Sequence, residues 1–263
     1  MPIRRPRTAG TLLVAAVAAL TVSCGPHATS PGAAGGSTPA PPPASGPSGR
    51  PSGTADPSPT PTPGAEIQHA VEGTGRVVAL TFDDGPDPEW TPKVLRLLEQ
   101  HHAKATFCMI GRNAARHPDL VRQVVAAGHR LCDHSMHHNE RQSRQSEGYN
   151  RHEIVDAQQL IQKAAGPGGR VWYYRAPGGD FTPVIRRLAA VHGLRPLGWE
   201  VDAQDWRRPG VDTILGNIHA SLAPGKVLLM HDGGGDRSQS VAALGRLLDE
   251  LDSRSYHYAF PRW

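Results

Sequence analysis

From Arg76 onward, short apolar runs take turns with amphipathic stretches. The runs RVVALTF (76–82), ATFCMIG (105–111), HRLCDHS (129–135), VWYYRAP (171–177), RPLGWEVDA (195–203), KVLLMHD (226–232) and HYAF (257–260) have the length and side-chain content of buried strands. Between them, Thr91–His101, Pro118–Ala127, Arg151–Ala165, Pro183–His192, Asp212–Leu222 and Ser238–Leu251 space their apolar residues as helices do. Pro118 and Pro183 suit first helical positions, Asn150 with Glu153 reads as a capping box, and Gly128, Gly166 and Gly193 fall where helices should stop. Strand and helix in strict alternation predict an α/β fold built on a parallel sheet. An open doubly wound sheet and a closed barrel both satisfy the pattern.

The polar residues fall in a telling place. TFDDGP follows the first strand, DHSMHH the third, YRAPGG the fourth, DAQDW the fifth and LMHD the sixth. All are carboxyl ends of strands, the end at which parallel α/β folds assemble their sites. Five clusters far apart in sequence are therefore expected to meet in one pocket.

The chain divides into three parts. Residues 1–24 carry Arg4, Arg5 and Arg7, then the apolar run Leu12–Val22, then Cys24, the layout of an export signal and too short for a stable membrane span. Cys24 follows the small residues Val22 and Ser23, which resembles a lipoprotein signal with Thr21 where Leu is usual. Residues 25–65 are almost wholly Pro, Gly, Ser, Ala and Thr, a composition with too little apolar surface to offset its conformational entropy, and are expected to be a disordered tether. Residues 66–263 are then one catalytic-sized domain.

The net charge of +4 invites a nucleic-acid reading, but the export segment holds three of the 28 basic residues and none of the 24 acidic ones. The remainder is close to balance, so no nucleic-acid partner is expected. Cys108 and Cys132, one in the second strand and one in the third, form an even pair in an oxidising compartment and are expected to bridge.

Asp83 and Asp84 are adjacent acids at a strand end, ahead of the Gly85-Pro86 turn. One such carboxylate can bind a cation while the other stays free as a base. His134 and His138, four apart, have a spacing that puts two imidazoles on one side of a metal, and Asp84 would complete a two-His, one-carboxylate set with open positions. Ser135 is a candidate to orient a ligand imidazole, and His137 is the odd histidine, exposed or behind the ligands. Arg175 beside the acid pair would lower a carboxylate pKa, and Asp205 against His231 would raise that imidazole's.

In this order, TFDDGP, HSMHH, RAPGG, DAQDW and LMH resemble the five motifs of the polysaccharide deacetylase (NodB-homology) family, carbohydrate esterase family 4, across about Arg76 to Phe260. The resemblance implies a distorted, incomplete (β/α)7-type barrel. It implies Asp83 as general base, Asp84, His134 and His138 as ligands of a divalent metal, commonly zinc, Arg175 as the residue orienting Asp83, and His231 as general acid tuned by Asp205. The backbone N–H of Gly178 would help bind an oxyanion, although many relatives carry an aromatic there, and Trp206 would line the substrate groove. The function implied is removal of N-acetyl groups from N-acetylglucosamine-type residues of peptidoglycan or chitin-like polymers, at the outer face of the membrane or secreted. A lipid on Cys24 would be the sole membrane contact, and no protein partner is implied. Acetylxylan O-deacetylation and a catalytically silent wall-binding protein are the alternatives.

Overall fold

The computed structural model describes residues 62–263. The export signal, Cys24 and the greater part of the tether therefore lie outside the described residues. Seven strands, β1 (Val77–Asp83), β2 (Ala105–Met109), β3 (Arg130–Asp133), β4 (Val171–Tyr174), β5 (Arg195–Pro196), β6 (Val201–Asp202) and β7 (Lys226–His231), lie in the spatial order β5-β4-β3-β2-β1-β7-β6, and a short β8 (His257–Tyr258) adds beside the start of β1. Every pairing in the sheet is parallel. The helices are α1 (Thr91–Gln100), α2 (Gly111–Arg116), α3 (Pro118–Ala126), α4 (Glu147–Arg151), α5 (Ala157–Ala165), α6 (Pro183–Val191), α7 (Val211–Ser221) and α8 (Ser238–Ser253), with a π turn, His152–Asp156, joining α4 to α5.

Because side chains alternate across a strand, each strand sorts its residues between two cores. Val78, Leu80 and Phe82 of β1 pack outward with Val94, Leu98, Leu228 and Met230 under the helices. Val77 and Ala79 point the other way, joining Cys108, Cys132, Tyr173 and Val227 on the concave face. The same alternation carries Thr81 and Asp83 of β1, His231 of β7 and Arg175 after β4 toward that concave face.

The sheet has to curl. Its two edge strands, β5 and β6, are consecutive in the chain, and the link Leu197–Glu200 reaches at most about 19 Å, whereas seven strands laid flat would put the edges about 29 Å apart. The link bonds to both sides: Leu197 N–H donates to the Tyr174 carbonyl (2.9 Å) and Glu200 N–H to the Val227 carbonyl (3.0 Å). Gln68 lies alongside, donating to Pro196 O and accepting from Gly198 N–H. A side chain at Gly198 would run into the His69 ring and Ile67 Cγ2, which would have to move aside. The result is a curled, incomplete barrel of parallel strands with helices outside.

Three local expectations change. The run 195–203 is two short strands at opposite edges, because Gly198 and its neighbours cross the seam. The six-residue α2 has too little apolar pattern to be read from sequence. The helix expected from Arg151 begins at Glu147, where Ser146 Oγ accepts from Tyr149 N–H (3.2 Å), so Asn150 and Glu153 are not a capping box. Glu153 is fully buried and its carboxylate takes two donors from His137 instead.

Cys108 and Cys132 are directly opposite each other in the β2–β3 register and are joined as a disulfide. With a sequence separation of 24 residues, the bridge limits the unfolded chain enough to contribute about 3 kcal/mol. Replacing both cysteines by alanine should lower the unfolding free energy by that order in denaturant titrations. An unchanged midpoint and slope would show that the bridge contributes nothing.

Candidate active site

The polar strand ends meet at the mouth of the curl, around a cavity of about 540 Å³. Asp83, the last residue of β1, is buried and accepts from Arg175 Nη1 at 2.7 Å through Oδ1. Burial raises its pKa, but the charge and hydrogen bond of Arg175, helped by the neighbouring His134 and His231 rings, outweigh burial and hold the carboxyl below its usual range. Asp83 is thus held as a carboxylate, with Oδ2 3.5 Å from His134 Nε2.

Asp84 takes a positive φ of 75°, a conformation that Asp tolerates better than bulkier residues. The turn swings its carboxylate toward the histidines: Oδ1 is 3.6 Å from His134 Nε2 and 3.3 Å from His138 Nε2. That oxygen is buried and has no hydrogen-bond partner, which is costly unless something else neutralises it. His134 Nδ1 lies 2.8 Å from the Arg175 carbonyl, which only accepts, so the proton sits on Nδ1 and the Nε2 lone pair faces Asp84. Burial lowers the His134 pKa against the pull of Asp83, favouring the neutral imidazole that binds metals. The ligand atoms of Asp84, His134 and His138 all lie within 4.8 Å of one another. An orphaned carboxylate oxygen between two imidazoles fits a divalent ion.

The loop presenting these ligands is wound by its own backbone. Ser135 and His138 both have positive φ, and Ser135 Oγ accepts from His138 N–H (3.0 Å), not from a ligand ring as expected, because the left-handed turn aims Oγ back at the loop. Asp133 Oδ1 accepts from Ser135 N–H (2.8 Å) and Glu153 Oε2 from His137 N–H (2.9 Å). His137 points away from the cavity's ligand set, with Nδ1 on Glu153 Oε1 (2.7 Å).

Across the cavity, Asp205 is fully buried and takes two donors from His231, the backbone N–H at 2.9 Å and Nδ1 at 2.8 Å. Burial lowers the His231 pKa, but the Asp205 hydrogen bond and the charges of Asp205, Asp83 and Asp84 outweigh it, raising the value to about 9. Gly178 sits at φ 59° in the turn Pro177–Gly179 and lines the cavity beside Trp199 and Trp206, the latter half-exposed at the rim. A Cβ at Gly178 would stand 3.4 Å from Glu140 Cγ, so the Glu140 stem occupies the space next to the missing side chain.

Sequence reasoning missed several residues of this site. Glu140, Arg112 and Trp199 line the cavity without belonging to a polar strand end. Asp232, next to His231, is buried, and its Oδ2 accepts from Thr91 Oγ1 (2.6 Å), which in turn accepts from Asp87 N–H (2.8 Å), locking the loop that carries Asp84. Burial, with smaller contributions from Asp84 and Asp83, pushes the Asp232 pKa up to about 7. Its signal in the sequence was its place in LMHD.

A parallel α/β half-barrel that gathers a charged acid, a two-His, one-Asp set and a carboxylate-backed histidine at its strand ends has the architecture of a metal-dependent hydrolase. The polysaccharide deacetylase family model matches residues 70–197. A peptidoglycan-N-acetylglucosamine deacetylase of Bacillus cereus is 37% identical over 198 residues, covering 74% of this chain and 91% of the relative. A chitooligosaccharide deacetylase of Bradyrhizobium sp. is 40% identical over 197 residues, covering 71% and 89%. The crystal structure of a peptidoglycan N-acetylglucosamine deacetylase in complex with an N-hydroxybenzamide compound superposes with a TM-score of 0.68 at 31% identity, covering 74% and 89%. The chain belongs to the polysaccharide deacetylase family.

The His231 environment has a testable pH signature. An imidazole raised from 6.5 to about 9 contributes stability that is fully present below 6.5 and lost as pH rises through 9. If it serves as an acid it must carry its proton, so kcat/KM should fall as pH rises through about 9. Asp205→Asn should move that alkaline limb down toward the ordinary histidine range; a limb that stays in place would show that His231 is not the group titrating.

Proposed function

We propose that the chain is an exported deacetylase that hydrolyses the N-acetyl groups of N-acetylglucosamine-type residues in peptidoglycan or chitin-like polymers, with zinc held by Asp84, His134 and His138. The observation that carries this reading is Asp83 held ionised by Arg175 immediately beside a carboxylate oxygen that has no hydrogen-bond partner and lies against the Nε2 atoms of two imidazoles. A divalent ion bound there supplies a Lewis acid for the acetyl carbonyl and lowers the pKa of water. Two imidazoles and one carboxylate are a donor set suited to catalytic zinc.

The chain's own groups then divide the proton work. Asp83 Oδ1 is engaged by Arg175, leaving Oδ2 to take the proton of the attacking water. Gly178 lines the cavity wall, and its N–H would donate to the oxygen that gains charge, where one donor is worth on the order of 3 kcal/mol. His231, its Nδ1 proton fixed on Asp205, gives its Nε2 proton to the nitrogen as the C–N bond breaks. Water's hydroxyl ends on acetate and its proton balances the amine, so the products are acetate and a free amino sugar. The leader ending at Cys24 supports export, and lipid on that cysteine would leave the domain hanging from the membrane by residues 25–65.

Acetate release from peptidoglycan glycan strands, N-acetylated chitooligosaccharides and acetylxylan, each before and after chelation, tests the proposal. The expected result is release from an N-acetylated polymer that a chelator abolishes and zinc restores. Release from acetylxylan alone would turn the reading to an esterase, and none from any substrate with metal supplied would favour a silent binding protein.

A further inference from the structure

Behind the ligand loop, two more histidines come together at the surface. His137 follows β3 and His152 opens the π turn between α4 and α5; their ring centroids are 5.9 Å apart. Each imidazole is held by its own carboxylate. His137 Nδ1 lies 2.7 Å from Glu153 Oε1, and His152 Nδ1 lies 2.6 Å from Asp156 Oδ2. A carboxylate oxygen accepts from Nδ1, so Nε2 is the atom of each ring left for an ion. Carboxylate behind histidine is the arrangement that fixes the tautomer and raises the basicity of a metal-ligating imidazole. The two side chains are about half exposed, at 48% and 51%, so both rings are open to an ion from solvent. Glu153, by contrast, is fully buried, and each of His137, His152 and Glu153 offers a ligand atom within 4.8 Å of the other two.

We propose that His137 and His152, backed by Glu153 and Asp156, form a second site for a divalent transition ion such as zinc, separate from the Asp84, His134 and His138 set. Imidazole donors with water in the remaining positions suit zinc, copper or nickel over magnesium or calcium, which prefer oxygen. His152 and Asp156 are four residues apart and so lie on one face of the helix, which is what puts the carboxylate behind the ring. The consequence lies in the ligand loop. Glu153 already holds the His137 backbone N–H (2.9 Å), and His138 is the next residue. An ion bridging His137 and His152 ties the loop that presents His138 to the helix below it.

The test is zinc stoichiometry in the full mature protein, stripped with chelator and then dialysed to equilibrium against micromolar zinc, for wild type, His152→Ala, His138→Ala and the double variant. The expected values are two equivalents, one, one and none. Zinc beyond the first equivalent should also raise the Tm of wild type by roughly 3 °C and leave that of His152→Ala unmoved, while magnesium should do neither. His152 is exposed and outside the core, so its loss leaves folding intact. A single equivalent in wild type, or two equivalents in His152→Ala, would overturn the second site. A His138→Ala variant that keeps two equivalents would instead count against the site at Asp84, so the two assignments fail separately.

Discussion

One buried guanidinium holds this structure together. Arg175 is fully buried and donates to Asp83 Oδ1 (2.7 Å) and Thr81 Oγ1 (2.9 Å) on β1, and to the carbonyls of Leu197 (3.3 Å) and Gly198 (3.1 Å) in the link that crosses the seam. Its backbone N–H bonds to Asp133 O and its carbonyl lies 2.8 Å from His134 Nδ1. A charge without water is tolerated only when its donors are satisfied, and removing one member of such a pair costs about 3–5 kcal/mol. The link across the seam, the ionisation of Asp83 and the tautomer of His134 therefore depend on the same residue, the first two through its side chain and the third through its carbonyl.

From that constraint comes a division of labour. Asp83 and His231 share one cavity, yet their environments push them apart: the acid is held charged below the usual carboxylate range, and the imidazole is held protonated up to about 9. A base and an acid coexisting at neutral pH is what amide hydrolysis needs, since water must lose a proton and the amine must gain one. Asp205 supplies the second half by taking both His231 donors from a fully buried position. Ligand geometry adds the third component, because Asp84, Ser135 and His138 all adopt positive φ to turn their loops into the mouth of the curl.

How much of this was legible in the sequence follows from range. Strands and most helices were readable, since alternation and apolar spacing are local properties of β1, β7 or α6. The convergence of Asp83, Arg175, Asp205 and His231 was readable because each ends a predicted strand, and parallel sheets put those ends together. Positions decided by distant partners were not. Nothing near Glu153 indicates that its carboxylate will be buried against His137, sixteen residues earlier. Nothing in RPLGWEVDA shows that the chain changes edges at Gly198, a crossing set by Arg175 and Gln68. Ser135, a candidate to orient a ligand ring, instead accepts from a backbone N–H, because periodicity carries no information about a left-handed turn.

The central claim is that Asp83 acts as a carboxylate base distinct from the metal set beside it. Asp83→Asn tests it most directly, because the change is nearly isosteric and leaves Asp84, His134 and His138 in place. Acetate release from an N-acetylated oligosaccharide and zinc content are measured on the same preparation. The account predicts zinc bound at Asp84, His134 and His138 as in the parent, with turnover down by about 10² to 10⁴. Parental turnover with zinc bound would contradict it.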